Sequence, residues 1–166
     1  PVLLDLSEKE VSKLSNELNN KYDTDSIGFS IDITNEEAIR NNADFLVKHY
    51  GKIDGLVNNA ANNPKVECNN EVIFSRLENF PISIWNDDIA VGLTGAFLCA
   101  KYYGYKISQN LNGGSIVNIS SDLGLIAPDQ RLYSKEEVGP NQQNVKPVTY
   151  SVIKTGLIGL TRYLST

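Results

Sequence analysis

The chain holds no methionine, one histidine, one tryptophan and two cysteines in 166 residues, and each scarcity removes a class of protein. Cys68 and Cys99 stand far apart with no second pair, which excludes a disulfide framework and a cysteine-based zinc site. Reduced thiols in a cytoplasmic protein are the expectation. His49 has no second imidazole to complete a metal site, so no metal is expected, and its place near a helix C-terminus suits the helix dipole. Basic charge is also short: 15 Lys and Arg against 20 Asp and Glu give a net charge of -5. With no basic cluster to offset that balance, a nucleic-acid partner is excluded. No apolar run approaches the roughly 18 residues that span a bilayer, and no charged start leads into an apolar signal segment. A soluble, intracellular chain with no membrane partner is expected. The missing initial methionine, with Pro1 leading straight into apolar residues, reads as a start within a longer protein.

What is present is a hydrophobic content of 41%, enough for one domain with a real core across residues 1–166. Val2-Leu3-Leu4 reads as a strand, and Ser7 with Glu10 forms a capping box ahead of Val11, Leu14 and Leu18 at helical spacing. The unit recurs. Ile27 to Asp32 alternates as a strand, Thr34 and Glu37 cap a helix carrying Ala38, Ala43, Leu46 and Tyr50, and Gly51 closes it. Ile53 to Val57 is a third, buried strand, followed by an Asn- and Pro-rich loop over residues 58–70. A long helix is expected from about Ser83 to about Ser108, a turn at Gly113-Gly114, a strand over Ser115 to Ile119, and a last helix from about Val148 to Leu164. Strict strand and helix alternation implies an α/β fold, a doubly wound parallel sheet whose sites lie beyond the carboxyl ends of its strands.

Tyr150 and Lys154 share a helix face four residues apart. A lone phenol, with a pKa of about 10, exchanges protons poorly at neutral pH unless a nearby cation favours the phenolate. Lys154 supplies one. The positions just after the strands are Asp5, Asp32, Asn58 to Ala61, and Ser120-Ser121. Together with Tyr150 and Lys154, the segments Leu56-Val57-Asn58-Asn59-Ala60-Ala61 and Ile116-Val117-Asn118-Ile119-Ser120-Ser121 resemble the short-chain dehydrogenase/reductase family, classical type, over the whole chain.

The resemblance implies a Rossmann-like, NAD(P)-binding domain and an oxidoreductase that interconverts a secondary alcohol and a ketone by hydride transfer. It makes Tyr150 the acid/base, Lys154 the cation that favours its phenolate, and Ser121 the hydroxyl that stabilises the substrate oxygen. Asp5 would accept the ribose hydroxyls of NAD and repel the extra phosphate of NADP, so NAD is preferred. Asp32 would meet the adenine ring, while Asn58, Asn59 and Ala60 would border the adenosine ribose; Tyr150 and Lys154 also touch the cofactor. In the family the long central helix and the Tyr/Lys helix pair with another subunit, which implies a homodimer or homotetramer in the full-length protein, with Gly156 and Gly159 permitting close approach. The other partner implied is a small-molecule substrate.

Three departures qualify the match. Gly92 stands where the family carries a catalytic Asn; its main-chain carbonyl remains, with freedom to kink. Ser121 and Tyr150 are 29 positions apart, a wider gap than is common in the family. The added polar residues, among them Asp129, Gln130, Arg131, Gln143 and Lys146, suit a sugar-like ligand. Finally, neither the Gly-rich phosphate turn nor the C-terminal lid segment of the family is found. The expectation is a partial domain with an incomplete sheet. The 166 residues alone are expected to be inactive, and the alternative reading of the function is an inactive fragment or a non-catalytic nucleotide-binding relative.

Overall fold

The structure is a computed structural model and describes residues 1–62 and 75–166. Cys68 and most of the expected Asn- and Pro-rich loop lie outside the described residues. The elements run β1 (Val2–Asp5), α1 (Glu8–Tyr22), β2 (Ile27–Ser30), α2 (Glu36–Tyr50), β3 (Gly55–Asn58), α3 (Ile82–Ile89), α4 (Ala96–Cys99), α5 (Tyr105–Ser108), β4 (Ser115–Asn118) and α6 (Val148–Leu164). Short 3₁₀ turns interrupt the connections. β1 and β2 pair in parallel, from Val2 opposite Ile27 to Asp5 opposite Ser30. β3 pairs with β4, and the Ser115 N–H on the Asp54 carbonyl and the Ile119 N–H on the Asn58 carbonyl, at 3.2 and 3.0 Å, step in the same direction. The described strands therefore form two parallel two-stranded sheets.

The caps follow side-chain chemistry. Ser7 caps α1 by accepting the Glu10 N–H at 3.3 Å. At α2 the cap is Asn35, accepting the Ala38 N–H at 3.0 Å, one residue beyond the expected Thr34. Thr34 is diverted because its N–H and hydroxyl both donate to Asp32 Oδ1, at 2.8 and 2.7 Å. Gly51 ends α2 at φ 84°, where a side chain would be strained. The third strand begins at Gly55, later than expected, and Val57 is 62% exposed instead of buried.

Two compact units account for the chain. The first, residues 1–56 and 98–115, is an ordinary α/β core: Ile39, Ala43, Leu46, Leu98, Cys99 and Tyr103 are buried, with Leu4, Phe29 and Ile53 packed against them. Tyr103 donates its hydroxyl to Asn42 Oδ1 at 2.9 Å, and burial pushes that phenol up from its ordinary value. Burial likewise pushes the Cys99 thiol up to about 12. His49 stacks on Phe45 at 5.4 Å.

The second unit, residues 57–97 and 116–166, buries Ala96, Ile153 and Leu157 against Ile89, Leu93 and Leu160. The expected long helix is interrupted here. Between α3 and α4 the backbone widens into a π turn over Ala90–Gly95, and a second, among the residues of the first unit, follows α4 over Ala100–Gly104. Such turns recur at functional sites. Gly92 lies in the first of them, buried, and a Cβ there would fall 2.8 Å from Ile153 Cγ2 and 2.9 Å from its Cδ1. Gly156 serves the same packing, since its Cβ would meet both Leu93 methyls at 3.0 Å. Its close approach is thus made within the chain, while Gly159 has nothing within 4 Å.

Candidate active site

α6 carries the centre of the site. Its first turn is set by Pro147, the N-cap, whose carbonyl accepts the Tyr150 N–H at 3.1 Å. Thr149, 1% exposed, donates its hydroxyl to Asp88 Oδ2 on α3 at 2.6 Å. Asp88 is itself 4% exposed, so this bond satisfies part of a carboxylate withdrawn from water. One turn on, Lys154 Nζ donates to the Ile119 carbonyl just past β4 at 2.6 Å. It lies 5.6 Å from the Tyr150 ring centroid. An ammonium has three donors, so Lys154 keeps two for other partners.

The strand end is stitched to the same helix. Ser120 donates its hydroxyl to the Lys154 carbonyl at 2.7 Å, and Thr155 donates to the Gly124 carbonyl at 2.9 Å. Gly124 allows this contact, since a Cβ there would sit 2.8 Å from the Lys154 main chain. Asn58 joins the two strands: its Nδ2 donates to Asn118 Oδ1 at 2.8 Å and to the Ala96 carbonyl at 3.3 Å.

A cavity of about 300 Å³ opens beside α6, and Tyr150, Lys154, Asn59, Asn62, Asp88 and Lys146 are among the residues that line it. Of the residues expected at the site, the cavity gathers Tyr150, Lys154 and Asn59; Ser121, Gly92, Asn58 and Ala60 do not line it. Ser121 is engaged in its own turn, donating to Asp122 Oδ1 at 2.7 Å and accepting the Leu123 N–H at 3.2 Å. The Ser121 hydroxyl first, and then the Leu123 N–H, which also donates to Asp122 Oδ1 at 2.8 Å, hold the Asp122 carboxyl below its usual range. Asp5 and Asp32, both exposed, belong to the first unit. Asp5 Oδ1 accepts the Ser7 N–H at 3.0 Å, and Asp32 holds Thr34.

Two features escaped the reading of the sequence. Lys146 Nζ sits 3.8 Å from the Tyr150 ring centroid, closer than Lys154. Its signal was present, since Lys146 precedes Tyr150 by the same four positions by which Lys154 follows it. The Asp88 and Thr149 pair, 61 positions apart, had no local signal. The polar residues of the 122–147 segment were expected to face a ligand, and several instead bond one another. Arg131 pairs with Asp129 at 2.7 Å, and the Gln143 side chain bridges the Lys135 N–H and carbonyl at 2.7 and 2.8 Å. Among the described residues no His/Cys/Asp/Glu group is arranged to hold a metal, and no helix is long and apolar enough to cross a membrane.

The chain belongs to the short-chain dehydrogenase/reductase family. A family model described as enoyl-(acyl carrier protein) reductase matches residues 1–166. A flagellin post-translational modification protein A of Campylobacter coli is 28% identical over 99% of this chain and 59% of its own length. An NAD-dependent glycerol dehydrogenase of Listeria innocua is 27% identical over 99% of this chain and 53% of its own. The solved structure of an NAD⁺-bound xylitol dehydrogenase superposes with a TM-score of 0.75 at 26% identity, covering 98% of this chain and 52% of that one. The fold is thus Rossmann-like, with an incomplete sheet, in a family of nicotinamide-dependent oxidoreductases. The chain spans about half the length of the relatives it matches.

Proposed function

We propose that this chain carries the proton-transfer centre of an NAD-dependent dehydrogenase that interconverts a secondary alcohol and a ketone, in a polyhydroxylated substrate. The observation that carries the reading is the placement of Tyr150 and Lys154 on one face of α6, at one cavity. In the oxidising direction the Tyr150 oxygen takes the proton of the substrate hydroxyl, and the ketone forms as hydride leaves the same carbon. NAD, when bound, is the acceptor of that hydride. Lys154 is held by the Ile119 carbonyl and offers its remaining N–H donors to a ribose hydroxyl and to the phenolate. Ser121 reaches the substrate oxygen by exchanging its bond to Asp122. The Gly92 carbonyl, in the π turn, continues the proton path to solvent in place of the family Asn.

The Asp5 carboxylate has the chemistry that a cofactor ribose needs. Asp5, exposed at the carboxyl end of β1, uses Oδ1 for the Ser7 N–H, which leaves Oδ2 to accept from a ribose diol. That carboxylate also opposes a 2′-phosphate, favouring NAD over NADP. Asp32 would border the adenine, and Asn58, Asn59 and Ala60 the adenosine ribose. One NAD-binding domain, assembled as a homodimer or homotetramer and working in the cytoplasm on a small-molecule substrate, completes the reading. The relatives that act on glycerol and xylitol support a polyol.

The test is NADH formation with a panel of polyols, comparing the enzyme that carries this chain with its Y150F and K154A variants. Loss of about a hundredfold or more in turnover on Y150F is expected. Turnover that survives Y150F would overturn the assignment. NAD binding without any turnover would favour the non-catalytic relative.

A further inference from the structure

Among the described residues Lys146 is a half-buried cation without a counter-ion. Its ammonium lies over the Tyr150 ring at 3.8 Å, and among the described residues no carboxylate stands within 4.0 Å of it, whereas seven other Lys or Arg side chains are so paired. An aromatic face offsets only part of the cost of withdrawing an ammonium from water. The main chain that presents it is held on both sides. The Val145 N–H donates to Ser75 Oγ at 3.2 Å, the Lys146 N–H donates to Gln130 Oε1 at 2.8 Å, and Pro147 follows directly with its fixed φ. The cation is therefore placed, not merely tethered. It lines the same cavity as Lys154 and the buried Asp88, whose Oδ2 is already bonded to Thr149. Two ammonium groups against one carboxylate leave the cavity with a formal charge of +1.

We infer that Lys146 binds an anionic group, a carboxylate or a phosphate, carried by the substrate of the Tyr150 centre. This rests on the proposed reading of the cavity as the substrate site. It adds a charged handle to the polyhydroxylated ligand and makes Lys146 the residue that sets specificity. An ammonium reaches either anion as a point charge, and each N–H bond to it is charge-assisted. The anion completes the coordination that the ring face begins.

The experiment titrates the full 166-residue chain, with NAD present, with three matched probes: D-sorbitol, D-gluconate and D-sorbitol 6-phosphate. Binding is read by calorimetry and by the amide resonances of the Lys146–Lys154 stretch. At least one anionic probe should bind about tenfold or more tighter than sorbitol, with an advantage that shrinks as salt rises. The better of the two distinguishes carboxylate from phosphate. K146Q should abolish the advantage over sorbitol while leaving the thermal midpoint in place, and K146R should retain it. Equal binding of all three probes, or an advantage that survives K146Q, overturns the inference and leaves the polyol reading standing. If no probe shifts the Lys146–Lys154 resonances, the substrate-site reading falls and the inference falls with it.

Discussion

The two units of the chain solve the same packing problem by different means. In the first, residues 1–56 and 98–115, the core is built of aliphatic side chains presented at regular helical and strand spacing, and Ile39 and Ala43 reach 0% exposure. In the second, residues 57–97 and 116–166, fewer apolar side chains are fully buried among the described residues, and close contact is obtained by leaving side chains out. Gly92 and Gly124 let α6 touch a π turn and a strand end, and a polar pair, Asp88 and Thr149, is buried beside them. The lesson is that a scaffold tolerates averaging over many contacts, whereas a site that must hold one phenol and two ammonium groups depends on a few specific ones.

The sharpest way to break the comparison is a cavity in the first unit. Ile39→Ala should cost about 2–5 kcal/mol, because a fully buried Ile loses its transfer energy and leaves a void. Thermal unfolding measures the loss, and hydrogen exchange should show it first in α2 and in residues 98–103, which share its core. A cost under about 1 kcal/mol would mean that this core is looser than its burial implies. In the second unit the corresponding blow is polar. Thr149→Val keeps the shape but strips the hydroxyl from Asp88, and a bond to a charged group is worth about 1.5–3 kcal/mol. Faster exchange of the α6 amides at Val148–Ile153, with the first unit unchanged, is the expected signature.

The next effect in size concerns Gly92. Its Asn replacement puts a Cβ 2.8 Å from Ile153 Cγ2, and such overpacking costs about 1–3 kcal/mol. Thermal unfolding of G92N alone should show that loss, and the same substitution made in an I153A background should cost much less. Failure of I153A to relieve G92N would place the strain in the π turn itself.

These contrasts explain what was legible in the residues. The strand and helix order, the Ser7 cap, the Gly51 stop and the bounds of α6 were legible because each depends on local spacing or on a single capping side chain. Thr34 was misassigned as a cap because Asp32, two positions earlier, offers its hydroxyl a better acceptor. The Tyr150 and Lys154 pair was legible as a spacing on one helix. The π turns, the contact of Ile153 with Gly92 and the bond from Thr149 to Asp88 were not, because each arises where segments distant in sequence meet.

The smallest effect separates an exposed carboxylate from a buried one. Glu36, at the start of α2, accepts from Lys101 Nζ and from the Tyr102 hydroxyl, each at 2.7 Å. The bond from Lys101 and then that from Tyr102 hold its carboxyl below the ordinary value of 4.5. A depressed acid favours the folded state above its unfolded value, and that advantage is lost as pH falls through the lower folded value. Wild type should therefore exceed E36Q in stability above about pH 4.5 and converge with it in stronger acid. Because the pair is open to water, high salt should erase most of the difference. Urea midpoints measured across that range, in low and high salt, check both limbs. A gap between wild type and E36Q that persisted in strong acid would show that Glu36 acts through packing and not through charge.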